Sequence, residues 1–253
     1  GIATGHAGNS SAISVYYIGL MSGTSMDAVD AVLVDIDGAG LTILGYKQFP
    51  IPADIQVSVR ALDSHAPISV ITELDAVLGE LFGNAVINLL KAAGMAADSV
   101  HAIGSHGQTV LHLPNDSHPR TLQIGDPARI AVMTGITTVA DFRRNDIAAG
   151  GQGAPLACAF HAWQFRDTGI DRIVLNLGGM ANITLLPTDA NREITGFDTG
   201  PGNALMDSWI QRHQGQQYDH EGEWATSGRA HPALLKAMLA EPYFSLAPPK
   251  STG

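Results

Sequence analysis

Four short stretches bring together residue types that can do chemistry. The first is Gly23-Thr24-Ser25-Met26-Asp27, which runs on into Ala28-Val29-Asp30. A glycine lets the backbone approach a ligand closely, and exposed amides with two hydroxyls can hold phosphate oxygens. Asp27 or Asp30 could hold Mg2+, directly or through water. The stretch is not a Walker A loop, because no Gly-Lys-Ser/Thr follows. It equally suits a plain hairpin turn closed by a local Asp hydrogen bond. The second stretch is Asp198-Thr199-Gly200-Pro201-Gly202-Asn203. A carboxylate at a strand end, with glycines leaving a substrate room to approach, could serve as a general base. The competing reading is a capped strand–helix turn, with Asn203 as the cap.

The third stretch is Ser105-His106-Gly107-Gln108-Thr109. Its Ser–His pair raises the question of a hydrolytic triad. The pattern G-x-S-x-G is absent, and adjacent residues on a strand point to opposite faces, so a polar substrate-binding patch fits better. The fourth is Asp141-Phe142-Arg143-Arg144-Asn145-Asp146, close to Gly150-Gly151-Gln152-Gly153. Arginine forks suit phosphate or carboxylate recognition, while ordinary surface ion pairs are the plain alternative. The remaining histidines show no metal spacing.

These stretches need elements to position them. Residues 15–20, 28–36 and 41–49 read as three strands joined by turns, an antiparallel meander. Apolar residues at three- and four-residue intervals over 69–93 predict a long amphipathic helix ending near Gly94. A short strand over 100–103 leads into the Ser-His stretch. Strand–turn units follow at 121–126 and 137–142, then a helix over about 155–166 with Pro155 in its first turn. Residues 173–178 and 182–187 suggest a hairpin around Gly178-Gly179, and a helix begins near Ala204. Residues 222–244 look partly helical, with Leu234, Leu235, Met238 and Leu239 as an inner face. A change of pattern near residue 170 marks a domain boundary. The two halves share one theme, a strand pair around a Gly-rich turn, which suggests two related lobes closing on a ligand.

Composition bounds the function. The 253 residues carry 24 Asp and Glu against 14 Lys and Arg, a net charge of −10. That balance disfavours a sequence-independent grip on nucleic acid, which needs a basic surface. At 45% hydrophobic and 15% charged, the chain has material for a core. No run approaches the roughly 18 apolar residues of a membrane helix. The single Cys158 excludes an internal disulfide and a Cys-rich metal site, which fits a reducing cytoplasm. Residues 1–15 lack the pattern of a signal peptide and are expected to form a disordered tail. The chain begins with Gly1 rather than Met, so residue 1 need not be a natural start.

Taken in order, the motifs resemble the anhydro-N-acetylmuramic acid kinase family. The matching stretches are GLMSGTSMDAVDAVL (19–33), IGSHGQTVLHLP (103–114), TLQIGDPARIA (121–131), TGITTVADFRRNDIAAGGQGAPL (134–156), RIVLNLGGMANITLL (172–186), GFDTGPGNALMDSWI (196–210) and APPKSTG (247–253). The likeness covers almost everything after residue 15. It implies an α/β, ribonuclease-H-like fold of the sugar kinase/actin/Hsp70 superfamily, with two lobes around a cleft. Residues 16–170 would form the N-terminal lobe and 171–253 the start of an incomplete C-terminal lobe. It implies a cytoplasmic, dimeric enzyme that uses ATP and Mg2+ to convert 1,6-anhydro-N-acetylmuramic acid into N-acetylmuramic acid 6-phosphate, in recycling of cell-wall sugars. Its partners would be an amino sugar and ATP, not nucleic acid or membrane.

Carried over by position, Gly23, Thr24, Ser25, Met26, Asp27, Ala28, Val29 and Asp30 match the ATP-phosphate turn, with Asp27 the candidate Mg2+ ligand. Asp198 matches the general base. His106, Gln108, Thr109, Arg143 and Arg144 fall in stretches assigned to sugar and lactyl recognition. Ala28 stands where this turn usually has Gly, and Asn145 where the family often has a third basic residue. Family members continue past KSTG, so much of the nucleoside pocket is expected to be missing. The alternative is a non-catalytic fragment retaining only sugar and phosphate binding. An ordinary glycoside hydrolase would want two carboxylates flanking one bond and no phosphate turn.

Overall fold

The computed structural model describes residues 15–23, 25–37 and 40–252. Along the chain the elements are β1 (Tyr16–Ser22), β2 (Ala28–Asp37), β3 (Gly40–Pro50), α1 (Ala53–Arg60), α2 (Ile68–Ala93), β4 (Val100–Ser105), β5 (Gln108–Leu113), β6 (Arg120–Ile124), α3 (Pro127–Thr134), β7 (Thr138–Val139), α4 (Phe142–Ala148), α5 (Cys158–Phe165), β8 (Arg172–Leu177), β9 (Met180–Leu186), β10 (Thr195–Pro201), α6 (Ala204–Gln214), α7 (Glu223–Thr226) and α8 (Pro232–Leu239). They fall into two units. One comprises residues 1–22, 27–107 and 124–140, the other 23–26, 108–123 and 141–253. Neither is a continuous stretch, which differs from a single boundary near residue 170. The reason is that the chain passes between the units five times.

The first unit is built on a sheet ordered β3-β2-β1-β4-β7. β1, β2 and β3 are antiparallel neighbours, and β1–β4 and β4–β7 are parallel. An antiparallel meander extended by parallel strands is the α/β, ribonuclease-H-like arrangement expected. Val15, where the expected tail and the expected first strand overlap, goes with the strand: it donates its amide to Asp35 and accepts from the Ile36 amide. Residues 1–14 lie outside the described residues.

Helix α2 covers this sheet. Phe82, Val86 and Leu89 recur on one face and pack with Ile18, Leu33 and Ile103 in the core, and Leu78 is buried one turn earlier. At its end Gly94 takes a left-handed conformation, and the Met95 amide reaches back to the Leu90 carbonyl. Asp126, at the end of the strand–turn unit expected over 121–126, caps the next helix. Its carboxylate accepts the Ala128 and Arg129 amides as N-cap of α3. Asp75 of α2 ties the two helices, accepting the Gly125 amide on its side chain and the Asp126 amide on its carbonyl.

The second unit holds the ribbon β5–β6 and the antiparallel sheet β10-β9-β8. The meander β8-β9-β10 has the same sequential antiparallel connection as β1-β2-β3. Helix α5 starts at Cys158, so Pro155 lies before it rather than in its first turn. Leu234, Leu235, Met238 and Leu239 are all exposed, not an inner face. Ile173, Leu175 and Leu177 of β8 are likewise 66%, 55% and 69% exposed, so this side of β8 is uncovered among the described residues.

The contact between α2 and α3 depends on two glycines. A Cβ on Gly79 would lie 2.8 Å from the Asp126 carbonyl oxygen, and one on Gly83 would lie 2.9 Å from Met133 Sδ. The first obstacle is backbone pinned by Asp75; the second is the end of a flexible side chain. Gly79→Ala should lower the melting temperature, its overpacking cost of about 1–3 kcal/mol exceeding the roughly 1 kcal/mol gained in helix propensity. Gly83→Ala should be near neutral. Equal losses in calorimetry would contradict this account of the interface.

Candidate functional site

Asp198 sits within β10 rather than at its end. Its neighbour across the sheet is Asn182, and the register slips between Asp198 and Gly200, so Thr199 is an extra residue in the strand. Such a bulge twists the strand locally and re-aims the side chain beside it. The Asp198 side chain is buried. A buried carboxylate needs hydrogen-bond donors, because desolvating an unpaired charge is expensive.

The donors come from 54 residues further along. The Thr252 amide donates to Asp198 Oδ2 at 2.9 Å and its hydroxyl to the same oxygen at 3.0 Å. The Asp198 main chain is held as well. Its amide donates to the Lys250 carbonyl at 2.9 Å, and the Tyr243 hydroxyl donates to its carbonyl at 2.7 Å. Burial, reinforced by the Asp198 charge, pushes the Tyr243 hydroxyl up to about 12. Lys250 is itself buried, donating to the Tyr243 carbonyl at 2.9 Å with its ammonium 4.7 Å from the Tyr243 ring centre.

His112 of β5 extends this network. Its Nδ1 lies 3.2 Å from Thr121 Oγ1 and its Nε2 lies 3.2 Å from Ser251 Oγ. The Thr121 hydroxyl donates its one proton to the Leu111 carbonyl, so it accepts from Nδ1–H and leaves Nε2 as an acceptor. Ser251 has one proton for two acceptors, His112 Nε2 and, at 3.4 Å, Gln152 Oε1. Burial lowers the His112 pKa below 6.5; the Arg143 charge lowers it further and Asp198 opposes.

Of the two expected arginines, only Arg143 acts on this cluster. Burial draws its guanidinium down from the ordinary arginine range, and the Asp198 charge opposes that. Arg144 is exposed and paired with Asp141 one helical turn back, an arrangement worth little in stability. Asp146 closes the glycine loop by accepting the Gly153 amide at 2.7 Å. Gln108 is buried; its amide nitrogen donates to the Thr109 carbonyl, while Oε1 has no donor. Gln123 of β6 donates to the Thr109 and Thr121 hydroxyls and likewise has an unpartnered Oε1. His106 belongs to the other unit, where its amide donates to the Leu20 carbonyl and its Nδ1 faces the Gly107 carbonyl.

The turn at 23–27 is closed by the Met26 amide on the Gly23 carbonyl. Thr24 lies outside the described residues. Ser25 and Asp27 are exposed. Positive φ is carried by Met26, at 57°, and not by Ala28, which already begins β2 opposite Pro50. That is why alanine is tolerated there. Val29 is a core residue. Asp30 Oδ1 accepts from the Tyr46 hydroxyl at 2.6 Å and from Gln48 Nε2 at 3.0 Å, so this carboxylate is engaged on the sheet. No group of three or more His, Cys, Asp or Glu is arranged to hold a metal among the described residues.

At the DTGPGN turn, the Gly202 and Ala204 amides donate to the Gly179 carbonyl and the Asn203 amide to that of Gly178. Asn203 occupies the cap position of α6, but its side chain makes no capping bond. Sequence reasoning named Asp198 but missed Tyr243, Lys250, Ser251, Thr252 and His112. The only signal for them was the donor-rich run Lys250-Ser251-Thr252 near an acid in need of donors.

Residues 15–253 match the family model described as anhydro-N-acetylmuramic acid kinase. The chain belongs to that family. It is 54% identical over 239 residues to the anhydro-N-acetylmuramic acid kinase of Coxiella burnetii, covering 94% of this chain and 64% of that protein. It is 53% identical over 242 residues to that of Shewanella baltica, covering 95% and 65%. The chain thus spans about two-thirds or slightly less of the relatives it matches. Among solved structures, the ROK hexokinase of Thermus thermophilus overlaps at TM-score 0.33 and 14% identity, over 69% of this chain and 47% of that one, too slight a likeness to argue from.

The buried histidine gives the site a pH signature. Above pH 6.5 the His112 imidazole is neutral in both folded and unfolded chains and costs nothing. As pH falls below 6.5 the unfolded chain binds the proton first, so the folded state loses stability until the lowered folded value is passed. Wild type should therefore lose melting temperature more steeply than His112→Gln as pH falls below 6.5. Parallel profiles would show that His112 titrates as it does in water.

Proposed function

We propose that the protein to which this chain belongs is an ATP-dependent kinase. It opens 1,6-anhydro-N-acetylmuramic acid with water and phosphorylates O6 to give N-acetylmuramic acid 6-phosphate. The observation that carries this reading is the buried, hydrogen-bonded carboxylate of Asp198, in a chain of the anhydro-N-acetylmuramic acid kinase family. Water is a poor nucleophile toward an acetal carbon. Asp198 takes a proton from it, the water oxygen bonds to C1, and the C1–O6 bond breaks. The charge developing on O6 is captured by the γ-phosphoryl group, and ADP leaves. Phosphoryl transfer is accelerated mainly by positioning and electrostatics.

The other assignments follow. Gly23, Ser25, Met26 and Asp27 form the phosphate turn, with Thr24. Val29 and Asp30 support it from β2, since their side chains are occupied in the core and on the sheet. Mg2+ bound with the nucleotide would supply charge neutralisation of the phosphates. Asp27 suits that ion, being an exposed carboxylate beside a phosphate turn, and Mg2+ is held by one or two carboxylates plus phosphates and waters. The unpartnered Gln108 Oε1 suits a sugar hydroxyl or N-acetyl N–H, beside Thr109, with Arg143 supplying positive charge for the lactyl carboxylate. His106 is a further sugar contact. Arg144 has a weaker claim because Asp141 already holds it.

The first unit corresponds to an N-terminal lobe and the second to the opening of a C-terminal lobe. A homodimeric, cytoplasmic enzyme acting on small molecules, with neither nucleic acid nor membrane as partner, fits the family. No helix among the described residues is long and apolar enough to cross a membrane. The alternative of a non-catalytic fragment gains nothing from the family match.

Asp198→Asn, in a chain of the relatives' length carrying this sequence, should lower turnover by about 10²–10⁴-fold while leaving nucleotide affinity unchanged. Turnover like wild type would sink the base assignment, and product formed without ATP would point to a hydrolase instead. The 253 residues alone should bind MgATP weakly, since they span 64% of the Coxiella relative and leave β8 uncovered. Tight binding in titration calorimetry would overturn that.

A further inference from the structure

We propose that Thr252 is a positioning residue for the reaction: it anchors Oδ2 of Asp198 so that Oδ1 is the oxygen that takes the proton from water. The inference rests on the reading of Asp198 as general base and deepens it. A carboxylate has a broad, two-fold torsion about its last bond, so its plane is set by its partners rather than by its own rotamer. Here two donors from one residue, the Thr252 amide and hydroxyl, converge on the same oxygen. Both are charge-assisted, the stronger class of hydrogen bond. Occupying Oδ2 in this way gives the two oxygens separate tasks.

The main chain of Asp198 does not depend on these bonds. It is pinned by the Lys250 carbonyl and by the Tyr243 hydroxyl. The strand would therefore keep its course if the Thr252 hydroxyl were lost, and only the carboxylate plane would be freed. Ser251, next to Thr252, is hydrogen-bonded to His112, so the segment carrying the anchor is itself fixed from its other side. A residue that merely filled space would not need a hydroxyl at this point.

Thr252→Val keeps the shape and the amide but deletes the hydroxyl. In the relatives'-length chain it should lower kcat about tenfold to a hundredfold, with KM for the sugar changed by less than about twofold. Thr252→Ser, which restores a hydroxyl, should recover kcat to within about threefold of wild type. Melting temperatures of both variants are measured alongside; if Thr252→Val does not fold, Thr252→Ala replaces it in the same comparison. Wild-type kcat in the hydroxyl-free variant, or a loss that serine does not repair, would overturn the proposal. Asp198→Asn separates the two levels of the argument. If Asp198→Asn is inactive while Thr252→Val is fully active, only the positioning role fails. If Asp198→Asn keeps wild-type turnover, the base reading fails and the positioning role with it.

Discussion

A carboxylate taken out of water is the constraint around which the second unit is arranged. Removing an ionised group from solvent costs several kcal/mol unless donors and countercharge replace the lost water. Around Asp198 the replacements are specific. Thr252 supplies two donors to one oxygen, and Arg143 supplies positive charge. Lys250 and Tyr243 hold the backbone at the amide and carbonyl. Because Lys250 is also buried, its ammonium must be satisfied in turn, and it is, by main-chain carbonyls and the Tyr243 ring. The segment 250–252 is thus bound to β10 by the same groups that make a buried acid tolerable. Whatever chemistry Asp198 performs, its orientation is inherited from that segment.

The two units solve the problem of burying a meander differently. In the first, β1 has β4 on its free edge, and α2 lays an apolar face over the core. In the second, β8 holds the corresponding place in its meander but has no further strand beside it among the described residues, and its apolar side chains are exposed. An open edge with exposed Ile and Leu is a template for pairing. The contrast is one of covering rather than of strand chemistry, since Ile173-Val174-Leu175 is as apolar a run as Ala31-Val32-Leu33.

The elements were legible where a pattern repeats. Helix α2 announces itself by seven turns of apolar spacing, and Gly94 marks its end for a conformational reason. The meander followed from β-branched runs separated by turn residues. Asp198 could be read as a candidate acid because glycines flank it. Its partners were not legible, because a hydrogen bond over 54 residues leaves no periodic trace and Ser and Thr occur everywhere. The same limit explains Asp126, which reads as part of a turn until the helix it caps is seen. It also explains Leu234 and Leu235, whose helical spacing shows a face but not what lies against it.

The two glycine turns look alike in sequence yet fold differently. At 23–27 the Met26 amide closes the turn on the Gly23 carbonyl, and the Ser25 and Asp27 side chains are exposed. At 198–203 the corresponding donors are used up. The amides of Gly202, Asn203 and Ala204 are all taken by the Gly178 and Gly179 carbonyls, so this entrance to α6 does not offer them to a phosphate. Gly202 is required there for another reason: a Cβ would lie 2.1 Å from the Gly178 oxygen. Its smallness serves the packing of one turn on another, not the approach of a ligand. On the function proposed above, the carboxylate is the part of this turn that acts on water, and the phosphate is held at the other turn. Two glycine-containing stretches of similar sequence thus fold differently: one is a tight turn with exposed side chains, the other a rigid mount for a buried acid.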